Sequence, residues 1–386
     1  MNEQIKTEDC LVYLMACALH EDTPNEENLA GVDLERLLRL AKSQSVAAMS
    51  CMTLEGTQAF AGAPEQIRKR WLEAKNKAIR KNMLLDAQRK ILLEEMEAQQ
   101  IWYMPLKGSV LKDWYPAYGM REMADNDILF DPSKQAQVKQ IFLKHGYRIE
   151  AYGMSNHDVY QKPPIYDFEM HKSLFSQQNQ MQAYYENVKD RLLHEPGKSY
   201  SFCFAPEDFY VYMLAHAHKH YYGGGTGLRT LADIYVANHH SEANWEWSYV
   251  EQELCTLGIL EYERKSKALA DKIFQKPEIL GNLNLTPEEE QMLSFYISSN
   301  TYGTVENSVA NQLNALQEET EYGSLRNKLI YCRKRLFPGR QEICTAHPVV
   351  YRYPVLLPGF WVVRIVKRGF ASRKMIYREI KTLFRK

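Results

Sequence analysis

The chain reads as an α+β protein: a small mixed β-sheet core flanked by N-terminal helices and a C-terminal helical bundle. Three observations predict this. Before residue 100, apolar positions recur at helical spacing and lead into a long Lys-, Arg-, Glu- and Leu-rich stretch running from Pro64 toward Gln99. Between about 101 and 175, short apolar or alternating runs are separated by turn residues, the pattern of strands. From about 179 the helical period returns. The predicted boundaries are 1–100 for an N-terminal helical region, 101–175 for the sheet-bearing core, 176–320 for a helical domain and 321–386 for a basic C-terminal segment.

Each element has its own reason. Residues 10–20 form an apolar helical stretch. Asp33 precedes the helix-spaced run 34–41, and its carboxylate can accept from the unpaired N–H groups of a first turn. The helix opened by Pro64 has too few heptads for a coiled coil, so it is expected to pack across the core that follows and to brace its sheet. Strands are expected over 101–105, 124–130, 147–152, 158–161 and 165–171, and helices over 109–113 and 133–145, the second ending at Gly146. Pro206-Glu207-Asp208 starts a helix through His220. Residues 221–227, rich in glycine, read as a mobile connection near the cleft. Helices over 229–239 and 245–257 follow, the latter stopping at Gly258.

The chemistry centres on Asp125 and Asp127. Residues two apart on a strand share a face, and the apolar Ile128, Leu129 and Phe130 behind them suggest a buried strand with a charged mouth. Hard Mg²⁺ takes oxygen ligands, often one or two carboxylates completed by substrate phosphates and water. Upstream, Leu106-Lys107-Gly108-Ser109 follows an apolar run and reads as strand, small-residue turn and helix start. Gly108 allows close backbone approach, and Ser109 suits an N-cap. Downstream, Asp167, Glu169 and His171 alternate with Tyr166, Phe168 and Met170, so the three polar residues share one face. That face offers a third carboxylate, which could take a proton from an attacking hydroxyl. Each piece alone also has an ordinary structural reading, as a solvated acid pair, a turn and a half-buried strand.

In order, Leu106-Lys107-Gly108, Tyr115-Pro116, Arg121, Asp125-x-Asp127 and Glu169-x-His171 resemble the uncharacterised nucleotidyltransferase family of the DNA-polymerase-β-like superfamily. The resemblance continues through Leu214-Ala215-His216 to His220 and through Gly227-Leu228-Arg229-Thr230-Leu231-Ala232-Asp233-Ile234, and it extends to Tyr353-Pro354 and Leu356-Leu357-Pro358. It implies metal-dependent transfer of a nucleoside monophosphate from an NTP to a hydroxyl acceptor, with release of pyrophosphate. Under it, Gly108 and Ser109 would cradle the triphosphate, Asp125 and Asp127 would hold Mg²⁺ (or Mn²⁺), and Glu169 would be the third acid. Lys107 and Arg121 are basic and would meet phosphate charge. His171, His216, His220, Arg229 and Asp233 are expected along the substrate cleft. The chain departs from the family pattern at Asn126, polar where an apolar residue is usual. Its side chain should face the core, with local distortion of the strand. The acceptor stays open: a small molecule, a protein hydroxyl or a tRNA end.

Other features bound the function. The glycine stretch lacks the preceding strand and the Gly-Lys-Ser/Thr ending of a phosphate loop. His216 and His220, four apart, have no third zinc ligand in view, and Arg229 and Asp233 have the spacing of an intrahelical ion pair. His239 and His240 read as surface residues. Seven scattered cysteines without a Cys-x-x-Cys pair suggest reduced thiols and a cytoplasmic protein. The N-terminus lacks the basic start of a signal peptide, and no apolar run approaches the roughly 20 residues of a spanning helix. Net charge is zero, yet 321–386 holds 16 Lys/Arg against 3 Asp/Glu, a net +13, balanced by −13 over 1–320. Such a segment suits an anionic partner, RNA or a membrane face, or folds back on the acidic body. Two further function classes stay open: a non-catalytic nucleotide- or RNA-binding module on the same fold, and a peripheral membrane protein acting in surface-polysaccharide assembly.

Overall fold

The computed structural model describes residues 3–240, 245–319, 324–337, 343, 348–371 and 373–384. Its N-terminal helices are α1 (Glu3–His20), α2 (Leu34–Ser43), α3 (Ala47–Leu54) and α4 (Glu65–Ala98). Asp33 caps α2, its carboxylate accepting from the N–H groups of Glu35 and Arg36. Along α4 the buried positions Trp71, Ala78, Asn82, Leu85, Leu92 and Met96 fall at helical spacing and form one seam. The first part of that seam meets the helical body. Its last part, from Leu92 on, packs with Ile128, Phe130, Phe142, Phe168 and Met170 over one face of the sheet.

The sheet has five strands: β1 (Tyr103–Pro105), β2 (Asn126–Phe130), β3 (Arg148–Ala151), β4 (His157–Lys162) and β5 (Tyr166–His171), in spatial order β1-β2-β5-β4-β3. Only β2 and β5 run parallel; the remaining pairs are antiparallel, so the sheet is mixed. Short helix α5 (Gly108–Leu111) follows β1, and α6 (Gln135–Lys144) follows β2, ending before Gly146 at φ +78°.

After the sheet, the expected immediate return to helix does not occur. Residues 180–204 hold single 3₁₀ turns and a two-stranded antiparallel ribbon, β6 (Leu192–His194) and β7 (Phe202–Phe204). Three-residue strands are too short to show a period, which is why they escaped the sequence pattern. Then come α7 (Pro206–Gly223), α8 (Leu228–Asn238), α9 (Trp247–Thr256), α10 (Leu260–Phe274), α11 (Pro287–Ser299), α12 (Val305–Glu319), α13 (Ser324–Leu336), α14 (Leu357–Ala371) and α15 (Arg373–Leu383). Bracing of the sheet falls to α4, whereas α1 packs on α2, α3 and α10, so the first helices and the later ones share one hydrophobic core.

The glycine stretch is clamped rather than mobile. Gly224 O accepts from Thr304 N at 2.7 Å, and Gln44 Oε1 accepts from Leu228 N at 2.7 Å. Gly225, at φ +88°, leaves a side chain no room: a Cβ there would lie 2.1 Å from Ser299 Oγ.

Candidate active site

The parallel register sets Asp127 of β2 beside Glu169 of β5, and the alternation within β5 adds His171 to the same face. Antiparallel pairing then sets His157 of β4 opposite His171. Asp125 is not on the strand, which begins at Asn126. It sits at the end of a loop fastened to α4: Asn82 Nδ2 donates to Arg121 O (2.9 Å), Met123 N donates to Asn82 Oδ1 (3.1 Å), and Lys81 Nζ donates to Ala124 O (2.6 Å). Asn126 points away from the acids, as expected. It is fully buried and satisfied, accepting from Arg89 (2.8 Å) and donating to Leu85 O (3.3 Å). The β2–β5 register begins at it, opposite Phe168, and runs unbroken to Leu129, so the strand starts later than the 124 expected.

Lys107 holds a backbone conformation rare for a side-chain-bearing residue, φ +50°. Its Nζ lies 2.7 Å from Asp127 Oδ1, and His171 Nε2 lies 2.8 Å from the same oxygen. Burial would raise the Asp127 pKa, but Lys107 and His171 outweigh it and hold the carboxyl well below its ordinary range. Burial likewise opposes the charge on Lys107, and Asp127 reverses this, holding the amine above its usual value. Asp125 differs: no described residue gives it a hydrogen bond or ion pair, and burial, with Asp127 and Glu169 adding to it, pushes its carboxyl up to about 6. Glu169 is lowered, chiefly by His171.

A cleft of about 310 Å³ lies between the sheet and helices α7 and α8; His171, expected along it, is buried behind Asp127 and does not line it. Asp125, Asp127, Glu169, Lys107, Gly108, Arg121, His216, His220, Arg229 and Asp233 all reach it. Ser109 does not. It lies inside α5 rather than capping it, and its hydroxyl donates to Leu106 O at 2.7 Å. Gly108 is required by a neighbouring side chain: a Cβ there would meet Arg121 Nη1 at 2.2 Å. Arg121 is itself engaged, its Nε and Nη2 donating to the two carboxylate oxygens of Asp233 at 2.7 and 2.9 Å. Tyr115 OH donates to the same carboxylate at 2.7 Å. The intrahelical Arg229–Asp233 pair is therefore replaced by one between the β1–β2 connection and α8. Arg229 turns instead to Glu122 O (3.0 Å), facing Asp125.

His216 and His220 bring their Nε2 atoms within 3.1 Å, and desolvation in the cleft lowers both pKa values, with Lys107 and Lys219 adding to it. His240 is not a plain surface residue, since it stacks on Trp114 at 4.6 Å. His157, Tyr212, Asn82 and Lys81 are site or supporting residues that the sequence did not reveal. For His157 the signal lies in strand pairing, which no single segment carries.

The donor set suits a divalent ion. Three carboxylates are hard oxygen donors, and Asp125 makes no hydrogen bond or ion pair among the described residues, with Lys107 and Arg229 acting on it only at longer range. Tyr212 Oη and His171 Nδ1 are buried without a partner among the described residues, and Tyr212 lies near Lys107 and Asp127. The residues thus fit a cation together with a polar ligand. The three acids are spread along the cleft floor; among the described residues, the group whose ligand atoms lie within 4.8 Å of one another is His157, Glu169 and His171.

No curated protein and no solved structure matches the chain. A family model described as uncharacterised nucleotidyltransferase matches residues 30–275, spanning every site residue above and stopping short of the basic segment. With that match over more than half its length, the chain belongs to the uncharacterised nucleotidyltransferase family, whose general role is nucleotidyl transfer from an NTP.

Proposed function

We propose that the protein is a Mg²⁺-dependent nucleotidyltransferase of the DNA-polymerase-β-like superfamily, transferring a nucleoside monophosphate from an NTP to a hydroxyl acceptor. The observation that carries the reading is Asp125: a carboxylate with no hydrogen bond or ion pair among the described residues, beside Asp127 and Glu169 in a cleft. The working core is residues 101–175, with 176–320 closing over the nucleotide. Asp125, Asp127 and Glu169 would hold the ion, with Mn²⁺ as a substitute. When bound, the ion supplies charge neutralisation at the α-phosphate and orients it for in-line attack.

The chain's own residues do the rest. Lys107 and His171 fix the Asp127 carboxylate in one orientation. Arg229 offers a guanidinium to the triphosphate across from Asp125. Arg121 acts as a positioning residue, locked by Asp233 under the Gly108 turn. The acceptor oxygen forms a bond to the α-phosphorus while the bond to the β-bridging oxygen breaks. Pyrophosphate leaves, and Glu169 takes the acceptor proton. An NTP-dependent reaction suits the cytoplasm. No helix among the described residues is long and apolar enough to cross a membrane.

A second reading, a nucleotide-binding module without turnover, is favoured by one observation: Lys107 and His171 already occupy the same Asp127 oxygen. Calorimetry with each NTP, with and without Mg²⁺, tests the proposal on the wild type and on Asp125→Asn/Asp127→Asn. Binding that needs both Mg²⁺ and the two acids is expected, and pyrophosphate release on adding acceptors then separates enzyme from module. Absence of NTP binding by folded wild type would end both readings.

A further inference from the structure

We infer that the C-terminal helices α14 and α15 form a docking surface for an anionic lipid bilayer, lying in its interface rather than crossing it. In α14, Val362, Val363, Ile365 and Val366 share one side of the helix and are 61, 51, 41 and 50 % exposed. Arg364, between them in sequence, falls on the opposite side, and the stretch is basic in sequence at 364, 367 and 368. α15 repeats the arrangement. Leu383 is buried against α12, anchoring the helix, while Tyr377, Ile380 and Phe384, spaced i, i+3 and i+7, are 68, 51 and 66 % exposed. Val355, 84 % exposed, and Leu356 extend the surface ahead of α14. The main contacts of α14 are with its sequence neighbours and α15, so the acidic body does not cover its apolar side.

The chemistry selects the partner. Valine and isoleucine held in water gain by burial in acyl chains and offer nothing to a phosphodiester backbone. RNA surfaces instead interleave cations with rings that stack on bases. A second copy docking through the same segment would bring +13 against +13, and its −13 body offers charge but no acyl phase for the aliphatic side chains. An anionic leaflet satisfies both halves at once, its headgroups meeting Lys and Arg and its upper acyl region taking the aliphatic side chains. At 15 residues, α14 is about 22 Å long, short of the roughly 30 Å hydrocarbon core. This surface lies outside residues 30–275 and does not depend on the nucleotidyl-transfer reading.

The test is co-sedimentation of the full chain with phosphatidylcholine vesicles, with and without phosphatidylglycerol, alongside a fluorescently labelled single-stranded RNA. The comparison variant is Val362→Glu/Val366→Glu, both substitutions at exposed positions. The wild type should bind the anionic vesicles and not the neutral ones, with RNA binding no tighter. The variant should lose about tenfold in vesicle affinity, with circular dichroism and NTP binding unchanged. No binding to anionic vesicles, equal binding by the variant, or binding to RNA alone would each overturn the inference.

Discussion

Asp125 concentrates the electrostatic cost of the site. Its pKa, about 6 in the folded chain against an ordinary 3.8, means that the folded state holds the proton more tightly than the unfolded one. Stability contributed by this group is therefore full below the unfolded value and lost as pH rises through the folded value. Asp125→Asn should be more stable than wild type by about 1–3 kcal/mol above pH 6. The gap should close on acidification toward pH 4, as read from urea midpoints across that range, and the same substitution should abolish Mg²⁺-dependent NTP binding. An unchanged midpoint at neutral pH would mean that the carboxylate is not strained. Asp233 presents the opposite case. Removing it by Asp233→Ala leaves the Arg121 guanidinium buried without its bidentate partner, and leaves Tyr115 OH without its acceptor. A loss of about 3–5 kcal/mol in unfolding free energy is expected, and chemical denaturation would report it.

Strands β4 and β5 make the site's second kind of donor. Glu169 and His171 were legible in the sequence because alternation along one strand is local. His157 was not, because its place opposite His171 depends on how two strands pair. Its Nε2 lies 3.8 Å from Glu169 Oε2, and that of His171 lies 3.5 Å from the same atom. Imidazole adds affinity for first-row metals and little for Mg²⁺. Mn²⁺ should therefore bind the wild type more tightly than Mg²⁺, and His157→Ala should lower Mn²⁺ affinity by about tenfold or more while leaving Mg²⁺ affinity nearly as it was. Titration calorimetry without nucleotide measures both, and equal losses for the two ions would place His157 outside the ligand set. The same locality explains other differences. The α2 cap by Asp33 and the long α4 were readable because capping and periodicity are properties of one segment. That Arg121 is taken up by Asp233, or that Gly108 makes room for Arg121, are contacts across more than ten residues and leave no local mark.

At the scale of the molecule, the sequence revealed a charge division of −13 and +13, and the structure shows how far one chain resolves it internally. The basic segment attaches to α12 through a small core of Val309, Leu316, Tyr331 and Leu383, and the Arg335–Glu379 ion pair ties two of its own helices, α13 and α15, together. Long-range bridges such as Arg121–Asp233 and Arg191–Glu253 join elements of the acidic body to one another. Opposite charges kept apart on one chain attract between chains when the solvent does not screen them. Screening lengths are about 30 Å at 0.01 M salt and about 8 Å at 0.15 M. The protein should therefore associate head to tail at low ionic strength and dissociate as salt is added, the reverse of apolar self-association. Sedimentation velocity over that salt range checks it: a weight-average coefficient that falls with added salt is expected. A coefficient that stays constant would mean that the two charge regions are already compensated within each molecule, and one that rises would make the exposed Val362–Val366 side the site of self-association.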